Sequence, residues 1–120
     1  MQLISPYTYV ALGDKVYSHK RLVDAEMIKK AVCVSYGVTF DALMWRTRER
    51  RVREPRQVIA YLLCELTKMT LKEIGGYLGG QDHTTVIHSK GVVRDLIDTD
   101  PIFARNIELI RTKIAYYASL

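Results

Sequence analysis

From residue 24 onward the apolar positions of this 120-residue chain recur three and four apart, the spacing of amphipathic helices. Met27, Ile28, Ala31, Val32 and Val34 make the first such face, with Asp24 placed to cap it and Gly37 to end it. Thr39 caps a shorter helix through Phe40, Leu43 and Met44. Residues 46–54 then break the pattern. They are charged on every side, so they predict a loop or helix end, and Pro55 suits the first position of the next helix because its missing amide is not needed there. Val58, Leu62, Leu66 and Met69, with Tyr61 alongside, continue that helix for about four turns.

Thr70 and Glu73 form a hydroxyl-x-x-acid capping pattern that starts a short helix at Leu71, and Ile74 and Leu78 give it one apolar stripe. Gly79 and Gly80 stop it, since glycine accepts the positive φ of a sharp helix exit. Asp82 caps the following helix near His83, which carries Val86, Val93, Leu96 and Ile97 on one face. Asp98-Thr99-Asp100-Pro101 interrupts the period and caps a last helix whose core face is Ile102, Phe103, Ile107, Ile110, Ile114 and Tyr117. The pattern predicts an all-α bundle of about five or six helices with a helix-turn-helix at roughly residues 70–97.

Residues 1–23 sustain no period, and we expect an N-terminal arm there, separate from the helical domain at 24–120. Its Tyr7, Tyr9 and Tyr17 suit packing on the helical body, a partner surface, or platforms for bases; packing is the reading we favour. Trp45 beside an apolar run is read as a core or hinge residue rather than a nucleotide stack.

The net charge of +5 and pI near 9.3 favour an anionic partner only weakly. Distribution is more telling, because residues 46–56 hold six arginines against Glu49 and Glu54, nearly all of the excess. In the helix-turn-helix, His83, Thr84, Thr85 and His88 crowd the exposed first turns of the second helix. There a carboxylate accepts from a cytosine amine, an imidazole bonds a purine or phosphate, and a threonine methyl packs on a thymine methyl. Asp82, His83, Thr84 and Thr85 are therefore expected at base edges. The preceding helix and turn hold phosphates in such a motif, which assigns Thr70, Lys72 and Gln81 to the backbone, and the His88 imidazole on the second helix is expected at phosphate as well. Arg56 and Gln57, at the predicted start of a helix, suit phosphate as well.

Gly79-Gly80-Gln81-Asp82-His83-Thr84-Thr85-Val86, continuing through Ile87 and His88, resembles the C-terminal DNA-binding domain of the bacterial replication initiator DnaA. Pro55-Arg56-Gln57, Glu65-Leu66-Thr67 and Leu71-Lys72-Glu73-Ile74-Gly75 are similar to that family's upstream motifs in the same order and spacing, and the likeness covers roughly residues 27–115. Gln81 stands where the family usually has arginine, and Ser89 where it usually has alanine. The resemblance implies a basic loop that sends an arginine into the minor groove. Counted back from Pro55-Arg56-Gln57 that arginine is Arg48, with Arg50 next as a phosphate contact. It also implies double-stranded DNA as partner, in replication initiation or its regulation.

Whole DnaA proteins are ATPases through a separate domain that this chain lacks, so that activity is not carried over. Met1 and the unmatched opening segment favour a stand-alone protein. No phosphate loop, HExxH or glycine-flanked serine elbow occurs, so no catalytic residue, cofactor or metal is expected. Cys33 and Cys64 lie in apolar helical patterns and are expected to be buried reduced thiols. The absence of a leader pattern or a long apolar run points to a cytoplasmic protein without a membrane partner. A transcriptional regulator on the same scaffold and a protein-interaction module without DNA binding are the alternatives. No residue pattern assigns a target site or an oligomeric state.

Overall fold

The computed structural model describes residues 23–45 and 47–120. The expected arm lies outside the described residues except for Val23, which packs against the core, and Arg46 lies outside them too. Six helices, and no strand, occur among the described residues: α1 (Ala25–Tyr36), α2 (Phe40–Leu43), α3 (Arg50–Leu66), α4 (Leu71–Tyr77), α5 (His83–Thr99) and α6 (Pro101–Ser119). The caps fall where the sequence puts them. Asp24 accepts from the Met27 amide at 2.9 Å, Thr39 from Ala42 at 3.2 Å, and Asp100 from Ile102 and Phe103 at 3.0 and 3.2 Å. Gly37 ends α1 at φ 67°.

Helix α3 is the centre of the bundle. It packs against α1, α2, α4 and α5, while α6 closes the far side against α1 and α5. Val58, Ile59, Ala60, Leu62 and Leu63 of α3 are fully buried with Ile28, Ala31, Val32, Leu43, Ile74, Val86, Ile110 and Ile114. Arg111 of α6 is buried as well, and donates to the Tyr61 hydroxyl of α3 at 3.2 Å.

Helix α3 starts five residues earlier than Pro55 and ends at Leu66, short of Met69. The reason is Val52, a single apolar residue among the arginines. It is buried and continues the stripe of Pro55, Ile59 and Leu62 back by one turn, so the tract coils to bury it. Arg50 and Glu54 pair across that added turn at 3.1 Å, and Tyr36 of α1 donates to Glu54 at 2.7 Å. Pro55 inside the helix leaves the Arg51 carbonyl without its helical partner, which costs little because Arg51 is exposed to water.

Four other expectations change. Val34 is 56% exposed, because two residues on from Val32 the helix has turned by about 200°. Ile102 is 74% exposed, a third of a turn off the stripe of Phe103, Ile107, Ile110 and Ile114. Trp45 is 59% exposed and is not a core residue. Cys33 and Cys64 are free thiols but only half-buried, each with its pKa pushed up chiefly by desolvation.

The helix-turn-helix is bolted to α1 through Tyr77, the last residue of α4. Its hydroxyl donates to Glu26 at 2.8 Å and its ring meets Phe40 with centroids 5.3 Å apart. Burial, then the bond to the Glu26 carboxylate, hold the phenol protonated well above its ordinary range. No helix among the described residues is long and apolar enough to cross a membrane.

Candidate nucleic-acid interface

The turn between α4 and α5 is built from backbone groups gathered on one carbonyl. Thr70 and Glu73 close a reciprocal capping box at 3.1 and 2.8 Å, which sets where α4 begins and hence where Gly75 lies. The Gly75 carbonyl then accepts from the amides of Leu78, Gly80 and Gln81 at 3.2, 3.0 and 2.9 Å. Gly79 and Gly80 take φ of 88° and 84°, the left-handed region that lets the chain reverse so tightly. Only a glycine fits at 75, since a Cβ there would lie 2.0 Å from the Gln81 carbonyl oxygen.

Asp82 opens α5 by accepting from the Thr85 amide at 2.9 Å, and that bond, with Thr85's side chain next, holds its carboxyl below the usual carboxylate range. It therefore stays ionised at neutral pH beside the helix N-terminus. Val86 and Ser89 face inward and are buried, which leaves His83, Thr84, Thr85 and His88 exposed on the outer side of the first turns. Ser89 occupies a core position, the kind of place that suits alanine. Arg94, further along, pairs with Glu65 of α3 at 3.7 Å and ties α5 to the bundle.

Facing this turn is the loop between α2 and α3. Arg56 of α3 holds it by donating from Nη1 to the carbonyls of Leu43 and Trp45, at 2.9 and 3.0 Å, and from Nη2 to that of Thr47 at 3.2 Å. With those carbonyls drawn inward the Trp45 indole is left outside. Burial, and after it the Arg53 cation, pull the Arg56 pKa below its ordinary value. Arg53 in turn donates to the Arg48 carbonyl at 3.3 Å. The Arg48 side chain is exposed and has no ion-pair partner among the described residues.

Loop and turn form the two lips of one cleft of about 520 Å³, with Met44, Trp45, Thr47, Arg48 and Arg56 on one side and Gln81, Asp82 and Thr85 on the other. Of the residues expected at base edges, Arg48, Asp82 and Thr85 thus line one opening. His83, Thr84 and His88 stand on the same first turns of α5, though they do not line the cleft. Of the residues expected at phosphate, Thr70 and Lys72 are exposed at the start of α4, and Gln57 is half-buried on α3. Arg50 is engaged with Glu54 rather than free. Arg56 is not at the start of a helix: it lies in the second turn of α3, with its guanidinium given over to the loop. Gln81 is half-buried, and its Oε1 is buried without a hydrogen-bond partner among the described residues.

The family model for the bacterial dnaA protein helix-turn-helix matches residues 25–92, from the first residue of α1 into α5. The chain belongs to the DnaA helix-turn-helix family. It is similar to chromosomal replication initiator proteins DnaA, at 38% identity over 104 residues in Gluconobacter oxydans and 40% over 105 residues in Chloroflexus aggregans. Each of these alignments covers 87% of this chain and 22% of the relative, so the chain spans about a fifth of the length of the DnaA proteins it matches. A third relative, from Bartonella quintana, is 40% identical over 94 residues, covering 78% of this chain and 19% of its own length. The matched DnaA region contains the cleft, both of its lips and the Arg56 staple.

Two features of the interface escaped the sequence. Trp45 stands beside arginines with no apolar partner three or four residues downstream, a pattern that signals exposure. Arg56 gives no such signal, because the three carbonyls it holds become neighbours only once the loop has folded.

Proposed function

We propose that this chain binds double-stranded DNA sequence-specifically, with the first turns of α5 in the major groove and Arg48 in the adjacent minor groove, in replication initiation or its regulation. One observation carries the reading: Arg48, which has no ion-pair partner among the described residues, and the exposed first turn of α5, with Asp82 and Thr85, flank one cleft. Asp82, His83, Thr84 and Thr85 then contact bases. Thr70, Lys72, Gln57, Gln81, His88 and Arg50 contact phosphates, Arg50 by exchanging Glu54 for the backbone. Family membership supports this reading, and so do the relatives' names as replication initiators.

The test is a salt titration of duplex binding in wild-type and variant chains. Neutralised phosphates give a steep loss of affinity with salt, which an adaptor or enzyme does not require. His83→Ala and Thr84→Ala are expected to lower affinity for the preferred site by roughly ten- to a hundredfold while sparing random DNA. Lys72→Ala weakens all duplexes alike and flattens the salt slope. Equal losses of His83→Ala and Thr84→Ala on preferred and random duplexes would remove base readout from the proposal.

Gln81 supplies a gain-of-function arm. Arginine at this position restores the cation usual in the family, and Gln81→Arg is expected to tighten duplex binding and steepen its salt dependence. No change in either quantity means that the turn does not face the phosphates.

A further inference from the structure

We infer that Trp45 is a nucleic-acid contact in its own right, with its indole packed on the deoxyribose of the strand that crosses the cleft between the two grooves. The inference rests on the proposed duplex binding and names a contact that this reading does not contain.

An exposed indole on a charged loop is unfavourable by itself, since a large apolar surface is left in water. This one is held there. The Trp45 amide donates to the Ala42 carbonyl at 3.2 Å, and the Trp45 carbonyl accepts from the Thr47 amide and from Arg56, each at 3.0 Å. The side chain therefore projects from a backbone pinned at both ends, which is how a preorganised contact is built.

Its position decides the ligand. Trp45 lines the cleft beside Arg48, opposite Gln81 and Asp82. If Arg48 enters one groove and the first turns of α5 the next, the backbone ridge that separates those grooves must run between them. The charged part of that ridge is phosphate, and its apolar part is the C–H face of deoxyribose. Bases within a duplex are stacked and offer an indole no free face, so the sugar is the surface left for Trp45.

Such a contact is sequence-independent and releases no counterion, which separates it from both arginine and base contacts. Trp45 is the only tryptophan in the chain, so its fluorescence reports on this site alone. On saturation with a duplex its emission should shift and its quenching by acrylamide should fall. Trp45→Ala should lower affinity for preferred and random duplexes alike by about five- to tenfold, the scale set by a few tens of Å² of apolar surface. The salt slope should not move, and Trp45→Phe should keep most of the affinity. Acrylamide quenching that is unchanged on a bound duplex overturns the inference while leaving duplex binding intact. So does stronger protection by single strands than by duplex, which would mean base stacking. If the wild-type chain binds no duplex at low salt, the proposed function falls and this contact with it.

Discussion

Alanine at position 75 is expected to cost this protein about 3 kcal/mol, whereas alanine one residue later is expected to stabilise it. Both glycines lie in α4, and nothing in their local sequence tells them apart. The difference is tertiary. A Cβ on Gly75 would lie 2.0 Å from the Gln81 carbonyl oxygen, which is backbone and cannot swing aside, while a Cβ on Gly76 meets nothing within 4 Å. To admit the methyl group the turn must lift off α4, and the bonds from the Gly80 and Gln81 amides to the Gly75 carbonyl go with it. The expected loss in melting temperature is on the order of 10 °C. Gly76→Ala, on a helix face with ordinary φ, should raise stability by about 0.5–1 kcal/mol through the unfolded chain's lost freedom. On the proposed function Gly75→Ala also misplaces Asp82 and the first turn of α5, so duplex affinity should fall even well below the melting temperature. Thermal unfolding of the two variants side by side checks the first claim. A Gly75→Ala protein that melts with wild type would show that the turn is not held by this contact.

The glycine pair marks the limit of what local sequence specifies in this fold. Helices whose ends are fixed by local chemistry were legible: Asp24, Thr39, Thr70, Asp82 and Asp100 cap within three residues of themselves, and Gly37, Gly79 and Gly80 carry their conformations alone. The helix-turn-helix was therefore visible as a unit. The start of α3 was not, because one buried valine outweighs a run of arginines only if there is a core for it to reach, and that core comes from other helices. The same holds at the interface. Exposure of His83 and Thr84 follows from the helical period, since Val86 and Val93 fix which side is inward. The role of Arg56 depends on where a loop is pinned across 9 to 13 residues of sequence, and no local pattern encodes that, whereas the charged residues after Trp45 do signal its exposure.

Arg56 and Arg48 should separate positioning from contact. Both are arginines of the same basic segment, and composition treats them alike. Arg56→Ala strips three loop carbonyls of a charged donor, and a hydrogen bond to a charged group contributes about 1.5–3 kcal/mol, so a loss of about 2–3 kcal/mol in stability is expected even with water replacing part of it. Arg48→Ala touches only an exposed side chain and should leave stability within about 0.5 kcal/mol. In binding the order differs. Arg48→Ala should lose affinity most on A·T-rich duplexes, where a narrow minor groove concentrates negative potential. Arg56→Ala should show that same A·T-weighted loss, since a released loop no longer presents Arg48, and adding Arg48→Ala to it should cost little more. Lysine at 56 discriminates between roles: it keeps the charge but offers a point donor in place of a planar fork that spans three carbonyls. If Arg56 served as a phosphate contact, Arg56→Lys would keep both melting temperature and affinity. The staple instead requires Arg56→Lys to behave nearly as Arg56→Ala in stability and in A·T preference, with additive losses in the Arg48/Arg56 double variant as the result that would refute it.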